Sequence, residues 1–292
     1  MGICEHRTVI ITGAGAGLGR AYALAFADEG ANVVVNDIQG DAAETVAAEI
    51  RAAGGNAIGN SDDITNMDCA QHIVDEALTA FGEVHVLVNN AGILRDRMFV
   101  SLTEEEWDTV IRVHLKGHFC LANILAKRWR TQAKEGNTPN ARIINTTSGA
   151  GLQGSIGQSN YVAAKGGIAA LTLVQAAELG RYGITANALA PAARTAMTES
   201  AMPDLVKAPE DDSFDSWAPE NVASLVVWLG SEKSAEINGL TFESQGGRIS
   251  ICDGWRTGPS IDKGTRIGIA EVPEVIAKLQ EQSVPAQKVW GT

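Results

Sequence analysis

The chain has 292 residues, 45% of them hydrophobic, with 31 Gly and 8 Pro, ample apolar material for one large domain or two small ones. Aromatics make up only 5%, and Ala, Val, Ile and Leu dominate, as in sheets covered on both faces. With 23 basic and 35 acidic residues the formal charge is −12, which sets the chain against nucleic acid and anionic membrane surfaces as partners.

Short β-branched runs fall at 8–12, 32–36, 56–60, 83–89, 141–147, 183–189 and 240–244. Helix-like segments lie between them near 18–29, 41–53, 66–81, 103–130, 158–181 and 218–229. This alternation predicts an α/β fold, a doubly wound parallel sheet of about seven strands flanked by helices. Asp41 and Thr103 are predicted N-caps, each with a glutamate three residues on (Glu44 and Glu106) as in a capping box. The stretch EGNTPNA at 135–141 reads as a turn that ends the long fourth helix. From about residue 246 the pattern loosens, apart from one short helix near 271–282. Residues 1–250 are therefore read as one domain and 251–292 as its C-terminal extension.

No apolar run is read as approaching the roughly 18 residues of a membrane helix. The N-terminal MGICEHRTVIIT lacks a signal-peptide pattern, and the final WGT is not a peroxisomal tripeptide. Cys4, Cys69, Cys120 and Cys252 form no C-x-x-C, and the five histidines do not pair at ligand spacing, so no disulfide framework or metal is expected. A cytoplasmic protein is the simplest expectation.

The first strand runs directly into TGAGAGLG at 12–19 and then a helix. A dinucleotide pyrophosphate needs close backbone approach and a helix N-terminus that offers N–H groups and positive dipole. Glycine meets the first need because any Cβ would intrude. Leu18 occupies the last glycine of G-x-G-x-x-G, so the spacing that fits is T-G-x-x-x-G-x-G, with Gly13, Gly17 and Gly19. Asp37, 24 residues beyond Gly13 at the end of the second strand, is placed to accept from adenosine ribose hydroxyls and to repel a 2′-phosphate. The expected cofactor is NAD.

Ser148 lies just past the fifth strand, at the sheet edge where ligands of open α/β sheets bind. Tyr161 and Lys165 follow, four residues apart and on one face of a helix. A free phenol titrates near 10, so a nearby ammonium is needed to favour the phenolate at neutral pH. Ser148 then holds the substrate oxygen while Tyr161 exchanges its proton. Hydride transfer to or from a nicotinamide completes the chemistry.

Together these pieces resemble the short-chain dehydrogenase/reductase family over residues about 6–245. TGAGAGLG, Asp37, Asp63-Ile64, Asn89-Asn90-Ala91-Gly92, Ser148, Tyr161-x-x-x-Lys165 and Asn187 through Pro191 all match. The resemblance implies a Rossmann-type fold in which Asp63 and Ile64 hold adenine and Asn90, Ala91 and Gly92 steady the strand beside the cofactor. It also implies that Lys165 bonds the nicotinamide ribose and that the segment after Pro191 closes over the nicotinamide. NNAGILRDR (89–97), RVHLKGHF (112–119), MPDLVKAPE (202–210) and APENVASLVVWL (218–229) are similar to the (3R)-hydroxyacyl-CoA dehydrogenase units of peroxisomal multifunctional β-oxidation enzymes, also described as type 4 17β-hydroxysteroid dehydrogenases. A 3-hydroxyacyl-CoA is thus the implied substrate, with fatty-acyl or steroid side chains, and a homodimer or homotetramer the implied assembly.

Two departures stand out. His114 occupies the position where most of the family has the Asn of N-x-x-G. Three roles are open to it: its backbone carbonyl holds a water, its imidazole relays protons, or its ring simply packs. The usual P-G is Pro191-Ala192. Arg95 and Arg97 are candidates for acyl-CoA phosphates, with Arg194, Arg256, Lys263 and Arg266 behind them. Trp107, Trp129, Trp217 and Trp228 are expected in the core or at subunit contacts. The reading that competes within enzymes is a carbonyl reductase of a free steroid or polyketide-type alcohol. From another class comes a non-catalytic NAD-binding regulator.

Overall fold

The computed structural model describes residues 2–201 and 203–292. Eight strands form one sheet: β1 (Thr8–Thr12), β2 (Asn32–Asn36), β3 (Asn56–Asn60), β4 (Val86–Asn89), β5 (Ala141–Thr146), β6 (Ile184–Pro191), β7 (Thr241–Gln245) and β8 (Arg248–Ile251). Their order is β3-β2-β1-β4-β5-β6-β7-β8. Every neighbouring pair is parallel except β7–β8, an antiparallel hairpin. The sheet therefore has one strand more than the sequence pattern predicts. RISI at 248–251 is short, solvent-facing and at the edge, so neither length nor a buried face marks it. The fourth strand is also shorter than expected, beginning at Val86 rather than at 83.

Period-two alternation divides the core. Val9, Ile11, Val33 and Val35 face one way, against Ala23, Phe26 and Val226 from the helices of that layer. Ile10 and Val34 face the other, with Ile73, Leu121 and Leu125. Because both faces are covered, the strands read as continuous apolar runs rather than alternating ones.

The helices are α1 (Gly17–Asp28), α2 (Gly40–Ala52), α3 (Met67–Phe81), α4 (Glu104–Ile111), α5 (Gly117–Lys134), α6 (Gly149–Gln153), α7 (Ser159–Leu179), α8 (Ala196–Ala201), α9 (Glu220–Gly230) and α10 (Val272–Gln282). Thr103 and Glu106 close the capping box expected of them at α4. Asp41 does not cap α2: the helix starts at Gly40, with Gln39 as its N-cap, and Asp41 instead places its charge in the first turn, where the dipole favours it. The predicted single helix at 103–130 is two helices joined by a π-helical turn at Arg112–Lys116, and it runs on to Lys134. His114, in the middle of that turn, is fully buried.

With its 3₁₀ extension, α7 covers Ser159–Tyr182 and is long and apolar enough by composition to cross a membrane, which corrects the expectation that no run approaches that length. In this fold it carries Tyr161 and Lys165 and lies along β6. A buried amide chain ties it to the sheet. Asn89 Nδ2 donates to Asn145 Oδ1 (3.0 Å), and Asn145 Nδ2 donates to Thr172 Oγ1 (2.9 Å).

After β8 the chain leaves the body. Helix α10 has no buried residue, and the last residues then return, Trp290 forming a parallel bridge with Ser155. At the opposite layer, Gly230 at the end of α9 lets that helix approach α1. A Cβ there would lie 2.5–2.6 Å from the ring of the fully buried Phe26. Gly230→Ala is accordingly expected to cost about 1–3 kcal/mol, read as a lower thermal midpoint with dinucleotide affinity unchanged.

Candidate active site

The order of strands reverses between β1 and β4, and a cleft of about 930 Å³ opens at their carboxyl ends. Thr12 ends β1 and the glycine turn forms the floor of the cleft. Gly13 and Gly17 have φ of +62° and +52°, in the left-handed region. A Cβ on Gly13 would lie 2.8 Å from Ala91 Cα, and one on Gly19 would lie 2.8 Å from both Ala14 Cα and Asn90 Nδ2. The turn is clasped from β4: Asn90 Nδ2 donates to the carbonyls of Thr12 (2.9 Å) and Gly13 (3.2 Å), and the Asn90 and Ala91 amides both donate to Thr12 Oγ1 at 3.0 Å. Helix α1 opens with no side-chain cap and no acidic residue in its first turn, so its amides face the cleft uncompensated. These features fit a dinucleotide phosphate: close backbone, helix N–H groups with no side-chain acceptor and no acidic residue in the first turn of α1.

Asp37 accepts from the amides of Gly15 and Gln39, each at 3.0 Å, which fixes its carboxylate at the cleft rim. Farther along, Asp63 accepts from the Thr65 amide (2.8 Å) and Ile64 is buried against Gly117, where a Cβ would lie 2.7 Å from its Cδ1. Leu18, Gly92 and Pro191 line the same cleft.

The other end carries Ser148, Tyr161 and Lys165. Ser148 caps α6, its Oγ accepting from the Ala150 amide (3.2 Å). Lys165 is buried and donates from Nζ to the Thr146 carbonyl (2.7 Å), while Thr147 Oγ1 donates to the Lys165 carbonyl (2.7 Å). Its ammonium stands 5.6 Å from the Tyr161 ring centroid. Burial pushes Lys165 down to about 7. It also pushes the Tyr161 phenol up, opposed by a hydrogen bond with the Ser148 side chain. In the cleft as it stands, desolvation of the ring is the largest influence on the Tyr161 phenol, and the Ser148 hydrogen bond opposes it.

His114 packs edge-on against Tyr161, ring centroids 5.3 Å apart and planes at 89°. Its Nε2 lies 2.9 Å from the Ile93 amide and 2.7 Å from the Ile93 carbonyl. Gly92 lies directly under the ring, where any Cβ would overlap it. Burial, with the Lys165 charge beside it, lowers the imidazole to about 3, so it is neutral at physiological pH. Of the three roles open to it, packing is the one this geometry displays.

Several candidate phosphate ligands are already engaged. Arg97 pairs with Glu106 (2.7 Å), Arg256 with Asp253 and Lys263 with Glu271. Arg194 is a clamp of the loop after β6, bonding Asp215 and the Val206 carbonyl (2.9 Å). Arg95 donates to its neighbour's carbonyl at Leu94 (2.7 Å). The cleft instead presents Arg248 from β8, which the sequence pattern does not single out. Trp217 also lines it, contrary to the expected core or subunit position, and so does Trp290. Trp129 is buried as expected. Asn160 is a further residue without a sequence signal. Fully buried, it donates to the carbonyls of Arg95 (3.0 Å) and Glu106 (3.3 Å) and accepts from the Tyr161 amide (2.8 Å), so it seats the start of α7. On the outer rim His72 gathers with Asp62 and Glu76, a group that sequence spacing hides because Asp62 comes from another element; Asp62 and His72 bond each other at 2.6 Å.

Comparison with known proteins agrees with this geometry. The family model for short chain dehydrogenase matches residues 7–205. The chain is 44% identical over 255 residues to hydroxyacyl-CoA dehydrogenase ChsB1 of Mycobacterium tuberculosis, covering 84% of this chain and 79% of that one. It is 44% identical over 254 residues to peroxisomal multifunctional enzyme type 2 of Mus musculus, covering 84% of this chain but only 32% of that much longer protein. A crystal structure of a short chain dehydrogenase from Mycobacterium avium superimposes with a TM-score of 0.92 at 50% identity, all of both chains being covered. The chain belongs to the short-chain dehydrogenase family and is an oxidoreductase.

Proposed function

We propose that the protein interconverts a secondary alcohol and a ketone with NAD, and that its substrate is a 3-hydroxyacyl-CoA. The observation that carries the reaction is one cleft holding Ser148, Tyr161 and Lys165 at one end and the glycine turn at the other. Hydroxyacyl-CoA dehydrogenase relatives support the substrate class. NAD rather than NADP is supported by Asp37, a carboxylate placed to repel a 2′-phosphate, fixed at the rim by two amides and followed by the exposed Ile38. Arg20 on α1 is paired with Glu49 at 2.6 Å.

In this reading Ser148 and Tyr161 hold the substrate oxygen between their hydroxyls. Bound NAD supplies the hydride acceptor and, in its oxidised form, a positive ring. Tyr161 takes the alcohol proton, and the Lys165 ammonium, 5.6 Å from the Tyr161 ring centroid, stabilises the phenolate. Thr146 holds Lys165 in that place through its carbonyl. His114 acts as a positioning residue, its neutral ring bracing Tyr161 on one side and the Ile93 backbone on the other. A homodimer or homotetramer is supported by Phe119 on α5 and by Leu173 and Val174 on α7, large apolar side chains left exposed in the single chain.

Three outcomes test this reading. NADH formation is expected with 3-hydroxyacyl-CoA and NAD but at least tenfold slower with NADP; turnover confined to free steroid alcohols would overturn the CoA assignment. Tyr161→Phe is expected to lower kcat by about 10²-fold or more while NADH titration shows unchanged affinity. Since burial raises Tyr161, the proton-accepting form grows with pH, so the oxidation rate should climb on alkalinisation and the reduction rate fall.

Stability carries its own pH signature. His114 titrates near 3 when folded against 6.5 as its ordinary value, so unfolding takes up a proton below pH 6.5. Its contribution is present above pH 6.5 and is lost on acidification toward pH 3. His114→Gln should therefore show a smaller drop in thermal midpoint between pH 7 and pH 5 than the parent protein.

A further inference from the structure

The C-terminal extension ends on the active site. Trp290 donates its amide to the Gly154 carbonyl (3.1 Å), and its own carbonyl accepts from the Ile156 amide (3.0 Å). Three glycines make room for this return. A Cβ on Gly149 would lie 2.7–2.8 Å from the Trp290 indole, one on Gly154 would lie 3.3 Å from Val289, and one on Gly291 would touch Ile156 at 3.4 Å. Gly149 directly follows Ser148, so the indole lies on the residue beside the serine that holds the substrate oxygen. Trp290 is 47% exposed and forms part of the cleft wall.

No core requirement explains that placement. Among the described residues no side chain of α10 is buried, and the chain is brought back to the body at Trp290. A large apolar ring, fixed by backbone hydrogen bonds yet half uncovered, contributes most when a ligand's apolar surface covers the rest of it. We infer that Trp290 is a specificity-determining residue, the wall against which the apolar chain attached to the reacting carbon packs, with the tail as a strap holding it. The ligand class is a secondary alcohol or ketone bearing a long or ring-containing apolar group. This rests on the oxidation assigned to Ser148 and Tyr161.

The experiment compares kcat/KM for 3-hydroxyhexadecanoyl-CoA and 3-hydroxybutyryl-CoA in the parent protein, Trp290→Ala and Trp290→Phe. The long-to-short ratio is expected to fall about tenfold in Trp290→Ala. The loss should appear mainly as a higher KM for the long substrate, larger than any change on the short one. Trp290→Phe should recover most of the ratio. Calorimetric binding of 3-oxohexadecanoyl-CoA to the NADH complex provides a readout independent of turnover, and about tenfold weakening is expected there too. An unchanged ratio and affinity in Trp290→Ala, or an equal loss on both substrates, overturns the inference. If the parent protein takes neither acyl-CoA, the CoA assignment has failed instead. The same ratio is then read with 2-dodecanol and 2-butanol, and a protein that accepts neither pair overturns both readings.

Discussion

One buried ammonium organises the active end of this molecule. Lys165 Nζ is removed from water and donates to a single carbonyl, that of Thr146 at the end of β5. An isolated buried charge is costly, and here the cost is met by a hydrogen bond and by partial loss of the proton itself, since burial brings the group to about 7. The reciprocal bond from Thr147 to the Lys165 carbonyl locks the helix to the same strand end. Because α7 is fixed there, Tyr161 one turn earlier and Ser148 just beyond the strand have little freedom left. The fold thus spends an unfavourable burial on geometry, a trade found where chemistry is done.

Much of this was legible from residues alone, for reasons that differ by element. The inner strands are β-branched runs with both faces covered, so TVIIT and NVVVN could scarcely be read otherwise. The glycine turn is legible because backbone approach excludes every other residue at Gly13 and Gly19. Ser148, Tyr161 and Lys165 are legible because helical spacing and a strand end predict their meeting. What was hidden lacks a local signal. The π-turn at Arg112–Lys116 sits inside a pattern that a regular helix would also satisfy. Edge strand β8 has no buried face to impose a period. Arg194 reads as a surface cation until Asp215 is brought to it across the loop. Trp290 reaches Gly149 from far along the chain, a closure no window of sequence contains.

The electrostatics of the cleft also differ from those of the surface. The chain as a whole is strongly acidic, yet the phosphate end of the cleft has no carboxylate in the first turn of α1, and Asp37 at its rim is held in place by two amides. Net charge therefore says little about what this cleft receives. Local amide dipoles and the placement of single side chains decide it, and the surrounding negative field acts mainly on approach.

The uncapped start of α1 has a consequence for the economy of the folded state. Those amides lie at the switch point of the sheet with no side chain to accept from them, so only solvent or an incoming anion completes their hydrogen bonding. An anion seated there would complete the first turn of α1 as well as be bound by it. A partner that associates only with the native form shifts the folding equilibrium by mass action. An anion held at that helix start would therefore add to native stability, by an amount that rises with the ratio of its concentration to its dissociation constant.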